Sequence, residues 1–193
     1  DYSKVEAGKM TIESAPFHVN DVLSELSVIF ASSTGAKPLS VAFDVDPQVP
    51  LTLVGDSIRL KQILINLGGN AIKFTNDGVV LISMKLAALD AETATIDFAV
   101  RDTGIGIAPE HLDTIFDSFA QAESSTTRRF GGTGLGLSIS SHLVELMGAQ
   151  LKVESVLNQG SKFYFTLRLP YVASQTTQER SEPVSAEPPR TIV

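Results

Sequence analysis

With 193 residues, 43% of them hydrophobic, and a formal net charge of -7, the chain can bury one sizeable core but lacks the basic face that nucleic acid or an anionic membrane surface requires. It has no cysteine, which excludes disulfides and thiolate metal sites, and its three scattered histidines argue against a structural zinc. No apolar run is long enough to cross a bilayer and no signal peptide is visible, so the piece reads as soluble and cytoplasmic, with a membrane span possible elsewhere in a longer parent.

In chain order, DYSKVEAGKM carries a short helical pattern with nothing before it to pack on. TIESAPFHV (11–19) alternates and predicts a strand. Asn20 or Asp21 can cap a helix through VLSELSVIFASS, with Val22, Leu26, Ile29 and Phe30 on its apolar face and Gly35 as its stop. LSVAFDV (39–45) predicts a strand and DPQVP a turn-rich connector. Asp56 or Ser57 caps a second helix over 58–74, and TNDG turns the chain into two neighbouring strands, 79–89 and 93–100. DTGIGIAPEHLDTIF is a glycine loop followed by a short helix, and the polar stretch 120–132 has no period and reads as a loop. TGLGLSISSHLVELMG (133–148) predicts a helix ending at a glycine, and AQLKVESV with SKFYFTLRLP a closing strand pair around NQG. The order implies a two-layer α/β sandwich, a mixed sheet with helices on one face. The last 23 residues shift to Pro, Ser, Thr, Gln and Glu, a linker composition.

Three stretches carry chemistry. In RRFGGTGLGLSIS (128–140), glycines lead into a helix start, where unpaired N–H groups and a partial positive charge suit an anion, most often a phosphate. Arg128 and Arg129 would stand at its mouth; a merely turning loop with two solvated arginines fits the same letters. No GK[ST] follows, which excludes a Walker loop. In DTGIGI (102–107), Asp102 at a strand end could accept from the exocyclic amine of adenine, or simply bond its own backbone in a turn. In LKQILINLGGNAIKFT (60–75), Leu60, Leu64, Leu67, Ala71 and Phe74 form a core stripe, while Asn66, Asn70 and Lys73 share another face. Two amides and an ammonium suit a magnesium–phosphate group, or an ordinary solvated face. Gly68 and Gly69 cost the helix about 1–2 kcal/mol together, which implies close approach by something.

The succession N-x-x-x-N-A-x-K-F, D-T-G-I-G-I, F-x-x-F and G-G-T-G-L-G-L-S-I resembles the ATP-binding catalytic domain of sensor histidine kinases, within the ATPase group that includes gyrase, MutL-type proteins and a heat-shock chaperone. The likeness runs from about residue 1 to 170 and implies a Bergerat-type sandwich with a mostly antiparallel mixed sheet and three main helices. It implies that Asn70 ligates Mg²⁺, with help from Asn66, that Lys73 meets phosphate, and that Asp102 bonds adenine in a pocket shaped by Gly104, Gly106 and Ile107. The stretch 120–132 would be a lid anchored by Phe116 and Phe119, and Gly132, Thr133, Gly134, Leu135, Gly136 and Leu137 would cradle the phosphates with Arg128. Ser118 stands where the family usually has Pro, which implies a looser hinge.

Gyrase-like members carry a glutamate base where Asn66 stands here; an amide takes no proton at neutral pH. The set therefore favours transfer of the γ-phosphate of Mg·ATP to an outside histidine, with Asn66, Lys73 and Arg128 nearest the reaction. His18, His111 and His142 lack the phosphoacceptor context, so the acceptor would lie on a dimerisation domain absent from this chain. Residues 1–9 would end that domain's helix, 10–170 would be the catalytic domain, and 171–193 a linker toward a receiver domain, as in the hybrid subgroup. Two rivals stand beside this reading: an interaction module that binds nucleotide poorly and pairs with another kinase, and a self-sufficient ATPase.

Overall fold

The computed structural model describes residues 11–116 and 135–173. Its elements are β1 (Ala15–His18), α1 (Val19–Thr34), β2 (Leu39–Val45), β3 (Thr52–Gly55), α2 (Ser57–Phe74), β4 (Gly78–Leu89), β5 (Thr93–Asp102), a 3-10 turn at Pro109–His111, α3 (Gly136–Leu146), β6 (Lys152–Val156) and β7 (Gly160–Pro170). Five strands form one sheet in the order β2-β4-β5-β7-β6; β2 runs parallel to β4 and the other neighbours are antiparallel. A second, two-stranded sheet pairs β1 with β3, and Tyr171 bridges Leu53 to tie it to the end of β7.

Period-two burial makes the main sheet one-sided. Val80, Ile82 and Met84 of β4, Ile96, Phe98 and Val100 of β5, and Phe163, Phe165 and Leu167 of β7 point into the core, while Lys85, Asp97, Arg101 and Arg168 point away. Phe98 and Phe165 stack across the β5–β7 pair at 5.2 Å. The helices cover the inner face with Val22, Leu26 and Phe30 of α1, Leu60, Leu64, Leu67 and Ala71 of α2, and Leu143 and Val144 of α3. The two-layer mixed α/β architecture expected from the sequence is the one observed.

Local details differ. The first helix begins at Val19, not after a cap at Asn20 or Asp21; His18 holds the cap position without a side-chain bond to the helix, and the Val19 N–H is taken by the Leu51 carbonyl at 2.9 Å. The pairing of His18 with Thr52 carries the chain straight from β1 into α1. Strand β1 is four residues long, shorter than 11–19. Strand β3 falls in LTLVG, where a four-residue run is too short to show a period. Ile29 and Phe74 are only half-buried. Helix α2 is capped by Asp56, whose Oδ1 accepts from the Arg59 N–H at 2.9 Å. A Cβ on Gly68 would run into the Phe30 ring, so close approach at this glycine is helix on helix; Gly69 has open space before it.

Candidate functional site

Helix α2 packs against both α1 and α3 and keeps one polar face. An open groove of about 690 Å³ runs along that face, lined by Asn66, Gly69, Asn70 and Lys73 and, further along, Ile58, Lys61, Gln62 and Ile65, with Glu25 of α1 at the rim. The three polar residues expected to share a face do so. Lys73 also lies 5.0 Å from the centroid of the Phe74 ring.

Asn66 is tied to α3. Its Nδ2 donates to Ser140 Oγ at 2.7 Å, and Ser140 is 1% exposed. A Cβ on Gly136 would collide with Asn66 Oδ1, so the glycine at the start of α3 is what lets the two helices meet there. Leu135 precedes the helix without a side-chain cap, which leaves the first amides of α3 without an intrahelical partner. Leu137 packs on the core edge, as does Ile107.

At the other end, β5 finishes in Asp102. This carboxylate is the next inward position after Ile96, Phe98 and Val100, and only 7% of it is exposed. Its Oδ1 accepts from the Gly104 N–H at 2.8 Å, and the Ser161 N–H of β7 also donates to it. Burial pushes the Asp102 carboxyl above its ordinary value of 3.8, against the pull of these two backbone donors. Helix α2 ends against the same loop: Phe74 O accepts from the Ile105 N–H at 3.3 Å, and a Cβ on Gly104 would strike Phe74 O. Gly106 has φ +67 and its α-carbon faces the Val156 carbonyl so closely that a Cβ could not fit, so both its backbone angle and its surroundings require glycine.

Four residues here escape sequence reasoning. Thr75 is fully buried, and its Oγ1, beside Gly104, has no hydrogen-bond partner among the described residues. Ser155 Oγ takes the Ile107 N–H at 2.8 Å and lies 2.9 Å from Ser161 Oγ, which locks the loop onto the β6–β7 hairpin. Lys37 reaches the end of α2 from outside the groove. Only the strand register, whose last pair Arg101–Lys162 stands next to Asp102 and Ser161, could have flagged Ser161. Phe116 packs edge-on against Phe163 at 6.3 Å. Phe119, Arg128, Arg129, Gly132, Thr133 and Gly134, and with them the expected lid, lie outside the described residues.

Known proteins share this sequence pattern and fold. The family model described as histidine kinase-, DNA gyrase B- and HSP90-like ATPase matches residues 55–171, and the chain belongs to that family. The sensor histidine kinase GacS of Pseudomonas protegens is 42% identical over 170 residues, covering 88% of this chain and 18% of GacS. Hybrid signal transduction histidine kinase B of Dictyostelium discoideum is 45% identical over 167 residues, covering 86% of this chain and 8% of that protein. Among solved structures, full-length ShkA in complex with AMPPNP superposes with a TM-score of 0.76 at 32% identity, covering 90% of this chain and 35% of ShkA. The chain thus spans less than a fifth of the length of these two curated relatives. Among the described residues, no helix is long and apolar enough to cross a membrane.

The raised Asp102 pKa has two consequences of opposite sign. The folded chain holds this proton more tightly than the unfolded chain, so the group favours folding most below pH 3.8 and loses that contribution as pH rises through the raised value. Binding of any ligand that donates a hydrogen bond to this carboxylate follows the opposite course, because a donor bonds best to the ionised form. Calorimetry with a non-hydrolysable ATP analogue should show affinity falling by up to about tenfold per pH unit below the folded-state pKa. The Asp102→Asn variant should lack that dependence.

Proposed function

We propose that this chain is the ATP-binding catalytic domain of a hybrid sensor histidine kinase, which transfers the γ-phosphate of ATP to a histidine on a dimerisation domain. The observation that carries the reading is the position of α2, whose end abuts the Asp102 loop while its Asn66 holds the start of α3. In this reading the carboxylate at one end of α2 would take the base and the helix start held by Asn66 would take the phosphates, with the polar face of α2 between them.

Adenine would sit against Asp102, its amine donating to the carboxylate. An unpartnered buried hydroxyl beside this carboxylate, Thr75 Oγ1, fits a site that a polar ligand completes. The triphosphate would run along Asn70 and Lys73 to the first amides of α3. Among the described residues no cluster of His, Cys, Asp or Glu could hold a metal, and a single amide oxygen at Asn70 suits Mg²⁺, which takes most of its ligands from phosphate and water. Bound there, the ion would neutralise phosphate charge. Asn66 donates from Nδ2 to Ser140 Oγ, which ties α2 to α3 beside the reacting phosphate, and as an amide it takes no proton.

The imidazole nitrogen of the acceptor attacks the γ-phosphorus, an N–P bond forms, the bond to the β,γ-bridging oxygen breaks, and ADP leaves. This chain supplies position and charge. Arg128 and the glycines at 132, 134 and 136 complete the phosphate end in this reading, and a receiver domain would take the phosphoryl group onward.

The test combines the chain with a histidine-bearing dimerisation domain and ATP labelled at the γ-phosphate. Acid-labile, base-stable label on the dimerisation domain is expected, and Asn70→Ala should lower it by at least about 100-fold by removing metal-assisted charge stabilisation. Steady release of inorganic phosphate by the chain alone, with no label transferred, would overturn the kinase reading in favour of an ATPase. Absence of any nucleotide binding would favour the interaction module.

A further inference from the structure

We propose that Lys37 is a positioning residue for the nucleotide site, acting from behind it. Its Nζ donates to the carbonyls of Ile72 at 2.7 Å, Lys73 at 3.3 Å and Thr75 at 3.2 Å. An ammonium has three N–H donors, and here all three are spent on one helix end. The last carbonyls of a helix have no intrahelical partner and carry partial negative charge, so a lysine placed there satisfies both needs at once.

The clamp is itself fixed. The Lys37 N–H donates to Thr34 O at 3.2 Å, the Lys37 carbonyl accepts from Leu39 N–H at 2.8 Å, and the carbonyl of Pro38 accepts from Gly78 N–H at 3.3 Å. The lysine therefore stands on a short connector tied to the end of α1, the start of β2 and the start of β4. What it grips is the turn that touches the site from two directions. Lys73 projects into the groove from that turn. Phe74 O, flanked by two of the gripped carbonyls, receives the Ile105 N–H from the middle of the glycine loop. Lys37 does not line the groove. Its effect passes through the backbone of residues 72–75 to the phosphate lysine on one side and the adenine loop on the other.

This role rests on the nucleotide reading above, and the test separates the two. Lys37→Met keeps the apolar stem and removes the charge; Lys37→Arg keeps charge and donors; Lys37→Gln is read alongside in case the Met variant does not fold. Two quantities are measured on the nucleotide-free and nucleotide-titrated chain, at a temperature where circular dichroism shows full folding. The first is amide exchange at Ile105, expected to quicken by about tenfold in Lys37→Met as the end of α2 frays. The second is affinity for a non-hydrolysable ATP analogue with Mg²⁺, expected to fall by about tenfold when the site is no longer preorganised. Both should return to within about threefold of wild type in Lys37→Arg, which preserves the charge-assisted bonds. A lysine that only stabilised the fold would lower the unfolding temperature and leave the affinity of the folded chain untouched, and that result overturns the proposal. So does wild-type exchange at Ile105. A wild-type chain that binds no analogue refutes the nucleotide reading by itself, while the Ile105 exchange still decides whether Lys37 holds the loop.

Discussion

Replacing Asp102 with alanine is expected to lower the affinity for a non-hydrolysable ATP analogue by about 100-fold, since a buried hydrogen bond to a charged group contributes about 1.5–3 kcal/mol. The physical cause is local. Asp102 occupies an inward position of β5 with only 7% exposure, so water could not replace the bond that a base held as proposed would lose. Alanine also strips the acceptor from the N–H groups of Gly104 and Ser161, so the variant should unfold at lower denaturant. Asp102→Asn keeps the shape and one acceptor, and separates the two effects. Titration calorimetry below the unfolding transition of each variant gives the answer. A folded Asp102→Ala chain with wild-type affinity would mean that the base binds elsewhere.

The second large effect lies in the core, at Phe30 and Gly68. Phe30→Ala is expected to cost about 3–5 kcal/mol, the usual range for emptying a fully buried ring. Gly68→Ala should be destabilising even though alanine is favoured over glycine in a helix interior by about 1 kcal/mol. The reason is that the new methyl would enter the Phe30 ring. In the Phe30→Ala background the same change should become neutral or stabilising, because the methyl then fills space. Denaturant unfolding of the four chains measures the coupling, expected at about 1–3 kcal/mol. Simple additivity would show that α1 and α2 do not meet at this notch.

The same notch explains part of what could be read from the letters. A glycine pair within an apolar helix signals close approach, but not by what; the two residues prove to do different things. Gly68 accepts a ring from another helix, and Gly69 opens onto the groove. The strands are readable wherever period two runs far enough, as in LSVAFDV and TIDFAV. That same period places Asp102 on the core face in line with Phe98 and Val100, so a carboxylate at an apolar position is legible in the alternation itself. The four-residue strands β1 and β3 carry no such signal, and their pairing depends on partners about 40 positions apart. Asn66, Asn70 and Lys73 are legible because helical spacing is local. Lys37, Thr75, Ser155 and Ser161 are not, because each acts across elements that only tertiary packing brings together.

Gly106 meets the Val156 carbonyl, Asn158 N–H donates to Ile105 O at 2.7 Å, and Ser155 holds the Ile107 amide. The loop that ends β5 and the turn that joins β6 to β7 are therefore halves of one part, separated by some fifty residues of chain. Anyone transplanting this glycine loop into another scaffold would have to carry the distant hairpin with it, and a library that randomises one half while freezing the other should return few folded clones.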